Sequence, residues 1–140
     1  MAKFTEIAVQ TVAGLQNFVF TDDVIRCSRG FVTHIPGTGT ITLKAPCQGC
    51  ARYRVSFGAN VAIPEGGTVA PITVALALEG SAIPSATAIL TPAAAEDLNH
   101  ISIDDYITVP SGCCVNLTVK NLGADPITAQ NANLIVDRTA

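Results

Sequence analysis

The sequence predicts an all-β fold, a sandwich or barrel of about ten short antiparallel strands. Three observations carry that prediction. Apolar residues recur with period two in the clearest stretches, as in a sheet with one covered face. Pro, Gly, Asn and Asp punctuate the chain at regular intervals. Helix-friendly residues cluster in one place only, Ala93 to Asp97, which is too short for more than a turn.

In chain order, Ile7 to Val12 reads as a first strand and Asn17 to Thr21 (NFVFT) as a second, separated by Ala13-Gly14. Asp22-Asp23 reads as the turn that closes this piece. Gly30 to Ile35 is a strand ended by Pro36-Gly37, and Thr40 to Leu43 follows Thr38-Gly39, so 30–43 reads as a hairpin. Ala45 to Gly49 is a loop.

The organising stretch is Ala51 to Gly80. In its first strand Tyr53, Val55 and Phe57 alternate with Arg52, Arg54 and Ser56, apolar against polar. In its second, Val74, Leu76 and Leu78 alternate with Thr73, Ala75 and Ala77, bulky against small. Both are expected in the middle of the core, and Glu79-Gly80 supplies a turn. Further on, Ala86 to Thr91 is a strand stopped by Pro92. Leu98 to Ile103 and Tyr106 to Val109 form one strand interrupted at Asp104-Asp105. Pro110 to Gly112 turns the chain, Val115 to Lys120 alternates again, and Asn121 to Pro126 is another turn. The last strand is Ile127 to Arg138, bent near Gln130-Asn131.

The 140 residues make a single domain, 1–140, with 1–25 as an N-terminal arm or the first strands. A chain of this length buries roughly 68% of its unfolded surface and needs no disulfide. Only 14% of residues are charged and the mean hydropathy is positive. A monomer so poor in charge exposes much neutral or apolar surface, which favours an oligomer. The net charge of −3 argues against a nucleic-acid partner. No apolar run approaches the length of a membrane span, and Glu6, Gln10 and Thr11 break up any signal-peptide core. The expected place of synthesis is therefore the cytoplasm of the producing cell, without secretion, where the five cysteines stay thiols.

Cys47-x-x-Cys50 is the one motif with metal-ligand spacing, and the candidate second pair is Cys113-Cys114. Neighbours on a strand point to opposite faces, so one ion does not suit both. Cys47 and Cys50 are thus weak metal candidates, and the expectation is no metal and no cofactor. His34 and His100 each lie on a strand, and no nucleophilic triad can be assembled around either. The acidic doublets Asp22-Asp23, Glu96-Asp97 and Asp104-Asp105 sit at turn positions without calcium-loop spacing. Arg52 and Arg54 share the outer face of a central strand, where a guanidinium fork suits a neighbour's carboxylate. With Ser56, Ala75 and Ala77 they form the expected subunit contact.

The segments ARYRVSFGANV, ITVALALEGSAIP, ISIDDYITVPSGCCVNLTVKN and NANLIVDRTA resemble the trimeric jelly roll of tumour necrosis factor and complement-type heads. Among these, the chain is most similar to the bacterial domains that cap collagen-like filaments. PCQGCARY, TPAAA, GCC and QNANLIVDR also resemble small capsid proteins of tailed phages and prophages. That resemblance implies a jelly roll, a homotrimer and a structural virion role. The role is capsid decoration or cement on the capsid exterior, with the major capsid protein as partner and no catalytic activity. The alternative it implies is a trimeric ligand- or receptor-binding module of a fibre or bacterial surface filament. No Gly-X-Y tract accompanies the domain.

Overall fold

The computed structural model describes residues 2–25, 31–46, 48–112 and 114–139. Among them are the strands β1 (Ala2–Glu6), β2 (Gln10–Val12), β3 (Asp22–Ile25), β4 (Val32–His34), β5 (Ile41–Lys44) and β6 (Ala51–Ala62). β7 (Ile72–Leu78), β8 (Ser81–Leu90), β9 (Asn99–Val109), β10 (Cys114–Asn121) and β11 (Ile127–Arg138) complete the set. No helix occurs among the described residues.

Two antiparallel sheets face each other. The first runs β3-β1-β11-β6-β9, with β2 also on β11, and the second runs β4-β5-β10-β7-β8. The pairings nest in sequence: β7 with β8, then β6 with β9, β5 with β10, and β1 with β11. Nested pairs that alternate between two sheets define a jelly roll.

Alternation decides which side chains meet between the sheets. Tyr53, Val55 and Phe57 of β6 are buried, as are Val74 and Leu76 of β7, Leu117 and Val119 of β10, and Leu134 and Val136 of β11. The two organising strands are interior in their respective sheets, as their patterns require. Phe18 and Phe20 stand edge-on to Phe57, with centroids 5.2 and 6.3 Å away. Such tilted aromatic pairs add to the burial of their area.

The β7–β8 turn shows how local sequence sets register. Glu79 and Gly80 both have positive φ, 51° and 83°, the geometry of a two-residue turn whose twist matches its strands. Glycine takes that conformation freely; Glu79 is held there by Asn116. The Glu79 N–H donates to the Asn116 carbonyl (3.0 Å), and the Asn116 N–H donates to Glu79 Oε1 (2.8 Å).

Several expectations need correction. The first strand begins at Ala2, because Ala2 and Phe4 alternate inward against Lys3 and Thr5, and the 7–9 stretch is the break before β2. Asn17 to Thr21 adds Phe18 and Phe20 to the core but forms no strand of its own, meeting the sheets through single bridges at Asn17 and Phe20 and a bond from the Thr21 N–H to the Thr5 carbonyl. Asp22-Asp23 opens strand β3 instead of making a turn. β8 begins at Ser81, its extra residues forming a bulge opposite Leu76. Asp104-Asp105 does not interrupt β9. Asp104 points outward to Arg54, and Asp105 takes the inward position between Ile103 and Ile107 on an edge strand. The expected bend in β11 is present: the register slips between Gln130 and Asn133, and Asn131 has φ +54°. The expected hairpin is β4–β5, and its first residue, Gly30, lies outside the described residues.

Candidate functional site

β6 lies between β11 and β9, so its outward residues sit in the middle of a broad exposed face. The register places Asp137, Arg54 and Tyr106 in one cross-strand row, and Ile135, Ser56 and Asp104 in the next. Arg54 grips Asp104 with both arms of its fork: Nε donates to Oδ1 (3.2 Å) and Nη2 to Oδ2 (2.7 Å). Ser56 also donates its hydroxyl to Asp104 Oδ1 (3.2 Å). Arg54's hydrogen bonds hold the Asp104 carboxyl below its ordinary range, against the opposing effect of burial, with Ser56 assisting. The same bonds raise Arg54 above its ordinary value.

The arginine that was expected to meet a neighbour's carboxylate therefore has one in its own sheet. About half of each side chain remains accessible, 52% for Arg54 and 50% for Asp104. The pair is thus a fixed, wet feature of the face, and pairs of that kind add little to stability. Tyr106 stands beside it, 60% exposed. Arg52, also exposed, makes no ion pair among the described residues. Lower on the same face, Gly58 admits the His100 ring and Asn133 directly above the backbone; a Cβ there would sit 3.3 Å from His100 Cε1.

Ala75 and Ala77 do not belong to this face or to any open one. They lie on β7 of the second sheet and have no exposed area in the single chain. Flanked by Lys120 and Thr87, and by Thr118 and Ala82, they offer no surface for a neighbour.

For the weak metal candidates, Cys50 is exposed and Cys47 lies outside the described residues, as do Cys27 and Cys113. Among the described residues no three His, Cys, Asp or Glu side chains gather as a metal site. No helix there is long and apolar enough to cross a membrane.

Two features escaped the sequence reading. His34 is buried between β4 and β3: Nδ1 lies 2.6 Å from Asp23 Oδ1, and Nε2 lies 2.8 Å from the Thr38 carbonyl. The ring packs 4.8 Å from Phe4. Both ring nitrogens face acceptors, so the cluster is a polar clasp between the two sheets. The second feature is a cavity of about 430 Å³ at one end of the sandwich, between the 63–72 and 121–127 loops. Asn121, fully buried, ties the second of these loops to the 12–13 segment. Its Nδ2 reaches the carbonyls of Asp125 (3.0 Å), Val12 (3.3 Å) and Ala13 (3.4 Å), and its Oδ1 accepts from the Gly123 N–H (3.0 Å). The only signal for either feature is a polar residue at the end of an apolar run, which alone does not name a partner.

No protein-family model matches the chain, and no curated protein matches it in sequence. Among solved structures it is similar to the PRD1 vertex protein P5, at 12% identity and a TM-score of 0.46, over 99% of this chain and 97% of that one. It is also similar to rabbit GITRL, at 14% identity and a TM-score of 0.41, over 94% of this chain and 95% of that one. A third is the EclA C-terminal domain, a sugar-binding protein, at 18% identity and a TM-score of 0.37, over 96% of this chain and 68% of that one. Similarities this distant establish neither a family nor a function.

Proposed function

We propose that the chain is a structural virion protein: a homotrimeric decoration subunit on the capsid exterior of a tailed phage or prophage, without catalytic activity. The observation that carries this reading is the outer face of the first sheet. There Tyr106 stands exposed beside the fixed Arg54–Asp104 pair, with the exposed Arg52 nearby. Tyrosine and arginine are the residues that protein interfaces favour, and a flat sheet face presents them without loop ordering. Further large apolar side chains, among them Ile35 (72%) and Ile89 (70%), are exposed on a chain with only 14% charged residues. The resemblance to small tailed-phage proteins supplies the capsid setting. Three subunits touching a capsid lattice gain avidity, because the second and third contacts are effectively intramolecular.

The test has two parts. Sedimentation should give three times the 14.4 kDa of one chain, even at low concentration. The protein should also co-sediment with capsids that lack it. Substituting Arg52→Glu together with Tyr106→Ser should weaken both. A concentration-independent monomer would remove the trimer, and a trimer indifferent to capsids would remove the decoration role. A second reading, a ligand- or receptor-binding module, is favoured by one observation, the cavity between the 63–72 and 121–127 loops.

A further inference from the structure

The end of the sandwich holding the cavity combines three properties. Part of its wall is apolar, from Ile63, Ile72, Pro126 and Ile127. Two carboxylates line it from different loops, Glu65 and Asp125, and neither has a hydrogen-bond or ion-pair partner among the described residues. Among the described residues no Lys, Arg or His lines it. Large apolar side chains stand exposed around it. Val69 (42%) lies within the first loop, and Leu15 (58%) is on a segment whose N–H donates to the Gly123 carbonyl (3.1 Å). More negative charge adjoins the cavity, since the Glu96 N–H donates to the Ile63 carbonyl (2.8 Å) and brings Glu96-Asp97 alongside.

We propose that this end is a docking surface for a protein partner that inserts a basic side chain, arginine or lysine, into the cavity. An aliphatic stem with a cationic head matches both parts of the lining, as long basic side chains lay their stems on apolar surface and keep the charge at its edge. Both carboxylates are exposed, so pairing them requires little loss of hydration. A phosphate or nucleic acid meets the wrong sign. A sugar finds no aromatic platform among the described residues of the lining. The idea extends the assembly reading by naming the end that meets the partner, and its test uses no capsid, so the two can fail separately.

The experiment is an amide NMR titration of the full chain with acetyl-Leu-Arg-Leu-amide, its citrulline counterpart and, separately, calcium chloride. Saturable shifts confined to 63–72, 121–127 and Leu15 are expected with the arginine peptide. The neutral citrulline peptide should bind roughly tenfold more weakly, the scale of two exposed ion pairs. The Glu65→Gln/Asp125→Asn double variant should lose a similar factor for the arginine peptide while keeping the wild-type spectrum elsewhere. Equal response to the citrulline peptide overturns the proposal, because recognition is then apolar alone. Calcium shifting the same amides at lower concentration also overturns it, by making the end an ion site. Shifts located elsewhere, or none, overturn it outright.

Discussion

Substituting Asn121→Ala tests the account of how the loop end is held. The amide has two donor hydrogens to share among three carbonyls and one oxygen that accepts from Gly123, so about three good bonds are lost together. Asn121 and the Val12 carbonyl are buried, whereas water can reach the carbonyls of the exposed Ala13 and Asp125. At a net value near 1 kcal/mol per bond, with the buried Val12 carbonyl left unsatisfied, the cost is about 3–4 kcal/mol. For an m-value of about 2 kcal/mol/M in urea, the midpoint falls by about 1.5–2 M. Asn121→Asp keeps the shape but turns the donating group into an acceptor facing carbonyls, so it should cost at least as much as alanine. A midpoint shift below about 0.3 M for alanine at unchanged slope, or an aspartate variant as stable as wild type, would refute the reasoning.

Other outcomes follow from the same geometry. Asp104 is held below the ordinary carboxylate range in the folded state by Arg54's hydrogen bonds. Its contribution is therefore present above the unfolded carboxylate range and lost as pH falls through the depressed folded value. In Arg54→Gln the Asp104 carboxyl should titrate higher by carbon NMR; an unmoved midpoint would mean that Arg54 is not the cause. Removing one side of the His34–Asp23 clasp, by His34→Ala or Asp23→Ala, should cost about 1–3 kcal/mol, because a buried hydrogen bond is lost. The double variant should cost less than the sum, and strict additivity in urea unfolding would show that the two are not coupled. A chelator should leave the thermal midpoint unchanged, and a clear drop would mean that a metal supports the fold.

How far the sequence could be read depended on whether a residue's role was local. Period two over Arg52 to Phe57 and Thr73 to Leu78 names strands, because each side chain's side of the sheet follows from its neighbour's. Pairing partners come from elsewhere in the chain, and there the reading failed. Arg54 looked like a residue waiting for a subunit because its carboxylate lies fifty positions away on β9. Ala75 and Ala77 looked like an open small face because a pattern gives which residues share a side, not what stands beside them. Asp22-Asp23 and Asp104-Asp105 looked like turns because acidic doublets favour turns, yet in both pairs one carboxylate bridges toward the facing sheet. The cavity was illegible for a related reason: its two walls are the 63–72 and 121–127 loops, far apart in the chain.

Those bridging carboxylates bear on where assembly can occur. A sandwich has two open sides, where the edge strands of facing sheets could recruit a foreign strand. On one side Asp23 of β3 meets His34 of β4; on the other Ser85, in the β8 bulge, donates to Asp105 of β9 (3.2 Å). Asp105 Oδ1 also accepts the N–H of Tyr106 (2.8 Å), and an inward charge on an edge strand is a known deterrent to strand addition. Both sides thus carry polar clasps, so association by strand addition is disfavoured there. The outer face of the first sheet and the acidic loop end remain available, and they are chemically different. A homotrimer through the face would leave three copies of the loop end free for a second partner. The two proposed contacts can therefore coexist in one particle without competing for surface.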